Sequence, residues 1–447
     1  MSESTHPANS VPDRGGPPTG RPQSAEPEPP PSDSTQSDVR QSDAQTPHGH
    51  PGPPESPQEG PEPTAERGFV QLLTPEGERV HDEIYDAYVA DLTDEDIRGF
   101  YRDLVMVRRV DAEATALQRQ GQLGLWASLL GQEAAQIGSG RALRSQDMAF
   151  PTYREHGVAW CRGVDPLHAL RMFRGVDLGA IDPHAHNFAM YAIVIGAQCL
   201  HATGYAMGIQ KDGWVGGDDG QAVIAYLGDG ATSQGDVNEA FIWAAAVTAP
   251  VVFFCQNNQY AISAPTDRQT RVPLYRRAAG FGFPGVRVDG NDVLATYAVT
   301  RRALDDARHG QGPAFIEAYT YRMGAHTTSD DPTRYRIAAE LEEWRLRDPI
   351  ERLRSFLVRQ QLAEADFFDA VEAEADVLAA KVRAGCLALP DPDPDTLFDH
   401  VYAGTSQALD EQRAAFDSYR SGFMDVATLA EPVNPVPLDP RQEGTHR

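Results

Sequence analysis

Between residues 220 and 320 the chain alternates uninterrupted apolar runs with segments whose apolar positions recur every three or four residues. Ala222-Val223-Ile224-Ala225-Tyr226-Leu227, closed by Gly228, is one run, and Val251-Val252-Phe253-Phe254-Cys255 is a second. Val286-Arg287-Val288 and Ala314-Phe315-Ile316-Glu317-Ala318 are a third and a fourth. The spacing predicts helices between them, over Asp236 to Val247 and over about Val293 to Arg308. Runs that are apolar at nearly every position suit strands covered on both faces, and strand–helix–strand repetition implies a parallel sheet. The fold class read from the pattern is α/β, a parallel sheet with helices on both faces.

Upstream, order begins near Phe69-Val70-Gln71-Leu72-Leu73. Thr93 with Asp96 three residues on reads as a helix start. Ile97, Tyr101, Leu104 and Val105 carry that helix towards Gln120, and a second helix is expected over Gln132 to Leu143. Beyond about residue 338 the chain is helical and charged to about Tyr419, and a proline-bearing irregular stretch follows. Residues 1–66 hold Pro, Ser, Gln, Asp and Glu with almost no large apolar side chains. They cannot bury enough surface to offset their ordering entropy, so a disordered acidic tail is expected, with a docking arm as the alternative to a plain solvated one. The chain thus divides into a tail (1–66), an α/β domain (67–337) and a helical C-terminal region (338–447).

Composition narrows the partners. The 447 residues carry a formal net charge of -26, and the tail accounts for only part of the excess. An acidic surface repels phosphate backbones and anionic lipids, which disfavours nucleic acid and membrane surfaces. The N-terminus has neither the basic stretch nor the apolar core of a secretory signal. No apolar run approaches a membrane span's length. Cys161, Cys199, Cys255 and Cys386 are far apart, without a CxxC pair, so a reduced, cytoplasmic setting is expected.

The chemistry gathers at Gly228-Asp229-Gly230, followed after 26 residues by Asn257-Asn258. Asp229 comes directly after a buried strand and so sits at the carboxyl edge of a parallel sheet, where open α/β folds bind ligands. Its flanking glycines let the backbone turn and approach a ligand closely. The next helix is expected to aim its first amides at the same place, which suits a diphosphate. Asn257-Asn258 end the neighbouring run at the same edge. A carboxylate, an amide oxygen and a backbone carbonyl are hard ligands that suit Mg²⁺ on a diphosphate.

This strand–GDG–helix–strand–NN order resembles the signature of thiamine-diphosphate enzymes. Gly131-Gln132-Glu133-Ala134, Pro151-Thr152-Tyr153-Arg154-Glu155-His156-Gly157 and Phe254 to Ser263 resemble segments of the alpha subunits of 2-oxo acid dehydrogenases. Val286 to Asp292 and Thr320 to Asp331 continue the likeness in order, over roughly residues 70 to 425. The resemblance implies a thiamine-diphosphate-binding fold in 67–337, with Mg²⁺ held by Asp229, Asn258 and the carbonyl of Tyr260. It implies Tyr153 and Arg154 on the diphosphate, with backbone contacts from Gly230 and Ala231. It places Ile193 and Ile195 against the aminopyrimidine ring and makes His326 the active-site histidine. Outside that context Tyr153 and Arg154 would read as a surface pair, Ile193 and Ile195 as core, and His326 as structural. His156 could serve the diphosphate segment or only pack. His184 and His186 lack a third metal ligand nearby in sequence. Thr327 stands where animal members carry a regulatory phosphoserine, which by itself does not establish such control here.

The resemblance further implies a beta subunit in an α2β2 heterotetramer and a lipoylated dihydrolipoyl acyltransferase core as acyl acceptor. The substrate is read from Leu125 to Leu130, which has no histidine where pyruvate-type members carry one. An apolar pocket favours a branched-chain 2-oxo acid of the 3-methyl-2-oxobutanoate type, since each buried methylene contributes about 0.8 kcal/mol. His156 points the other way, to pyruvate, and an acetoin-type enzyme would share the same cofactor site. A non-catalytic assembly subunit would be expected to have lost Asp229, Asn258, Arg154 or His326, and all four are present. A metal-dependent hydrolase would need a ligand spacing such as HExxH, which the chain lacks.

Overall fold

The computed structural model describes residues 69–427 apart from 178, 180 and 218. The expected disorder of 1–66 lies outside the described residues, as does the expected irregular end beyond Ala427. The last helix, Gln407–Ala427, runs past the helical end expected near Tyr419.

Among the described residues seven strands form: β1 (Met148–Phe150), β2 (Val223–Gly228), β3 (Val251–Asn257), β4 (Tyr260–Ala261), β5 (Ala264–Pro265), β6 (Gly285–Asp289) and β7 (Ala314–Tyr319). Five of them make one sheet in the order β1-β2-β3-β7-β6, and every pairing in it is parallel. β4 and β5 form a separate antiparallel hairpin directly after β3. Val70 adds a single parallel bridge to Val288 at the β6 edge.

Both faces of the sheet are covered, which is why its strands read as continuous apolar runs. Val223, Ala225, Leu227, Val251, Phe253, Cys255 and Phe315 point into one core, which they share with the helices Ala197–Lys211 and Gly235–Val247. Ile224, Tyr226, Val252, Phe254, Ile316 and Ala318 point the other way, into a second core. The helices Asp94–Arg119, Glu133–Ala142 and Val293–Arg308 close that side. Each large apolar side chain withdrawn from water here contributes roughly 2 kcal/mol.

Local polar groups set the ends of these elements. Thr93 accepts from the amide of Asp96 at 3.2 Å while the Asp96 carboxylate accepts from the amide of Thr93 at 2.9 Å, the reciprocal cap expected from the sequence. One oxygen of Asp292 caps Val293–Arg308 through the amides of Leu294 and Ala295, and the other takes the amide of Leu72 at 2.6 Å. The charged C-terminal stretch is helical as expected: Ala338–Arg345, Pro349–Arg359, Ala365–Leu387 and Gln407–Ala427. Ile350, Leu353, Phe356, Leu357, Phe368, Val371 and Ala375 from these helices belong to the same core as Ile224 and Phe254. Buried Arg352 ties Pro349–Arg359 to the tip of β6 through Asp289 at 2.7 Å.

Candidate active site

The pairing of Gly228 with Gln256 brings the ends of β2 and β3 side by side. Asp229 is therefore the first residue beyond one tip, and Asn258 the first beyond its neighbour. The helix expected over Asp236 to Val247 forms, set apart from Gly228. A 3-10 turn, Asp229–Ser233, intervenes, and the helix starts at Gly235. The turn lets Asp229, Gly230 and Ala231 line a cavity of about 270 Å³. Asn258 and Tyr260 line it from β3 and the following hairpin, Tyr153 and Arg154 from the loop after β1, and His326 from the segment after β7.

Asp229 is only 2% exposed and accepts from Gln269 Nε2 at 2.7 Å. Burial pushes its carboxyl up to about 6, against hydrogen bonds that include the Asn258 amide. The β4–β5 hairpin presses close: a Cβ on Gly230 would lie 2.7 Å from the Cβ of Ala261, so only glycine fits there. The hairpin turns through Gln259 and Ile262 with φ of 72 and 55, and Arg322 holds it in place. Arg322 donates to the carbonyls of Tyr260 (2.8 Å) and Ile262 (2.6 Å).

Arg154 is buried and donates to the carbonyl of Ser128 (2.5 Å) and to that of His326 (2.8 Å). It also lies 3.3 Å from His326 Nδ1. A guanidinium can only donate, so Nδ1 accepts and the His326 proton sits on Nε2. Burial, then the charges of Arg154 and Arg322, bring the His326 imidazole down to about 4, so it is neutral near pH 7. The Tyr153 ring stands edge-on to His326 at 6.2 Å.

The lining suits an anionic, metal-bearing group. Arg154 and Arg322 supply positive charge. Gln132 Nε2 and Gln198 Oε1 are buried on cavity residues without a partner, one donor and one acceptor left for something else. Among the described residues no three His, Cys, Asp or Glu side chains cluster as a metal site. A cation here would rest on one carboxylate, amide and carbonyl oxygens and the bound group's own oxygens, a set suited to Mg²⁺.

Residues 101–383 match the family model described as dehydrogenase E1 component. The chain belongs to this family. The E1 chain is 45% identical over 345 residues to the 3-methyl-2-oxobutanoate dehydrogenase subunit alpha of Mycobacterium tuberculosis (strain ATCC 25618 / H37Rv), covering 77% of this chain and 92% of the relative. It is 40% identical over 316 residues to the pyruvate dehydrogenase E1 component subunit alpha of Staphylococcus aureus (strain N315), covering 70% and 83%.

Of the ten positions that the resemblance assigned to cofactor, metal or proton chemistry in this E1 chain, nine line the cavity. Ile195 does, whereas Ile193 is 59% exposed and does not. His156 lies off the cavity too. It stacks on Trp126 at 4.3 Å, and its two nitrogens meet the Tyr191 hydroxyl and the Ala127 carbonyl, each at 3.1 Å. Burial drives its imidazole down to about 3. Sequence reasoning assigned no role to Gln132, Glu155, Gln198, Gln256 or Arg322, all of which line the cavity. Glu155 is fully buried and accepts from Thr152 Oγ1 and from Gln256 Nε2, both at 2.6 Å, clamping the Tyr153–Arg154 loop to β3.

Proposed function

We propose that this chain is the alpha subunit of a thiamine-diphosphate- and Mg²⁺-dependent dehydrogenase for a branched-chain 2-oxo acid, of the 3-methyl-2-oxobutanoate type. It works with a beta subunit in an α2β2 tetramer, in the cytoplasm, and the acyl group passes to lipoamide on a dihydrolipoyl acyltransferase core. The observation that carries this reading is the shared cavity that gathers Asp229, Asn258 and Tyr260 with Tyr153, Arg154 and His326.

Asp229, Asn258 Oδ1 and the Tyr260 carbonyl would hold Mg²⁺, and Tyr153, Arg154, Gly230 and Ala231 the diphosphate. Thiamine diphosphate, when bound, supplies the electron sink for decarboxylation. The chain's own residues bind and orient it. Arg154 brings its guanidinium to the cavity lining, where remaining N–H groups can donate to phosphate oxygens. Ile195 gives the ring an apolar support. Neutral His326, with its proton on Nε2 and its Nδ1 taken by Arg154, is set to donate a hydrogen bond from Nε2 to an oxygen of the reacting group. The carboxylate that acts on the aminopyrimidine is expected from the beta subunit. The exposed Ile193, Val194 and Ile262 beside the cavity are surfaces such a partner would cover.

Two findings favour the branched-chain substrate. The identity to the 3-methyl-2-oxobutanoate relative exceeds that to the pyruvate relative, and Ala127 stands buried in the stretch that lacks a histidine. His156, the residue that pointed to pyruvate, has its ring spent on Trp126, Tyr191 and Ala127. With a candidate beta subunit added, kcat/KM should be higher for 3-methyl-2-oxobutanoate than for pyruvate; a strong pyruvate preference would overturn the substrate. Calorimetric titration with thiamine diphosphate should lose its Mg²⁺-dependent part in Asp229→Ala. The alpha chain alone should not turn over, and full turnover without a partner would refute the tetramer.

A further inference from the structure

A backbone group cannot be turned round, so it fixes the polarity of any amide side chain that touches it. The amide of Tyr260 points at Asn258 Oδ1 at 3.3 Å. That contact makes this branch of Asn258 the oxygen. The other branch, Nδ2, faces Gln132 Oε1 at 3.0 Å, across 126 residues of sequence. Turning Asn258 over would set its amino group against the Tyr260 N–H, donor against donor. Turning Gln132 over would set two amino groups together. One arrangement of the pair remains, and it is shut away from water: Gln132 is 1% exposed and Asn258 6%.

Asp229 needs no such help, because both ends of a carboxylate are oxygen. An asparagine ligand is asymmetric, and the wrong end repels a cation. We propose that Gln132 is a positioning residue for the divalent-cation site: by accepting from Asn258 Nδ2 it holds the amide oxygen as the end presented to the cation. The inference rests on the reading of Asn258 as a cation ligand given above. It also assigns a purpose to the Gly131-Gln132-Glu133-Ala134 segment, whose glutamine the reaction does not otherwise use.

The test reads cation affinity rather than turnover. Mg²⁺ is titrated calorimetrically into full-length protein mixed with a candidate beta subunit, at saturating thiamine diphosphate, with Mn²⁺ binding followed by electron paramagnetic resonance as a second probe. Gln132→Leu should weaken cation binding about tenfold or more, the range for loss of a group that orients a ligand. Gln132→Glu keeps an oxygen facing Nδ2 and should stay within about threefold of the parent, well short of that loss. Asn258→Asp has oxygen on both branches, so in that background Gln132→Leu should change the affinity by less than about twofold, as expected when the coupled group is gone. If Gln132→Leu does not fold, Gln132→Ala removes the same acceptor without added bulk and takes its place. Parent-like affinity in the Leu or Ala variant, or the same loss in both backgrounds, overturns the proposal. A parent that takes up no cation overturns the functional reading along with it.

Discussion

At the scale of single residues, the site depends on side chains whose charge state is set by burial. His156 shows this away from the cavity. Its imidazole is held near 3, far below the usual 6.5, mainly because charging it would put a cation in an apolar enclosure. A depressed imidazole stabilises the fold above pH 6.5, and the contribution is lost as pH falls towards 3, because the unfolded chain takes up the proton first. Between pH 7 and pH 5 this amounts to about 2 kcal/mol. Urea unfolding of the parent and of His156→Gln should therefore give a stability gap that narrows by about that much at pH 5; a gap independent of pH would rule the mechanism out. Much of the residue-level site was legible because Asp229, Gly230, Asn258 and Tyr260 sit in short motifs at strand ends. Gln132, Gln198, Gln256 and Arg322 were not. Uncharged amides carry no local signal, and the roles of all four residues arise from contacts between separate segments, such as that from Gln132 to Asn258 across 126 residues. Ile193 and Ile195 shared one expectation, and the backbone separated them. The segment before the left-handed Gly196 (φ 89) brings Ile195 to the cavity and leaves Ile193 in solvent.

At the scale of elements, the apolar runs foretold four of the five strands of the main sheet because both sheet faces are covered. β1 was missed, since three residues are too few to show a pattern. The helix Ala197–Lys211 was missed because its Ala, Gly, Cys and His leave no clear apolar stripe. The loop of Tyr153 and Arg154 follows directly on β1, so the missed strand positions a candidate binding loop. Junctions between elements are held by buried ion pairs, among them Arg308 with Asp147 and Arg352 with Asp289. Arg352→Met would strand a buried carboxylate and should cost about 3–5 kcal/mol. Adding Asp289→Asn to that variant should recover part of the loss, as read by urea midpoints. No recovery would mean that packing of the arginine stem, rather than charge, sets the cost.

At the scale of the whole molecule, the division at residue 338 suggested by composition does not coincide with a division of the core. Charge pattern reports which helix faces meet water, and it is silent on what the opposite faces meet. Ile350, Leu353, Phe356 and Leu357 belong to the same buried core as Ile224 and Phe254. A chain ending at residue 337 should therefore lose near-ultraviolet circular dichroism and elute as aggregate, whereas an independent domain would remain monomeric and folded. No helix among the described residues is long and apolar enough to cross a membrane.

A sheet whose strands all run one way has a working rim and an idle rim. Asp229 and Asn258 leave from the first; β2, β3 and β7 enter from the second, at Val223, Val251 and Ala314. Lengthening a connection on the idle rim leaves the tips where they are, while one added residue inside β2 or β3 would throw Asp229 and Asn258 out of step. Room for tags, labels or inherited insertions thus lies on the far side of the protein from the chemistry.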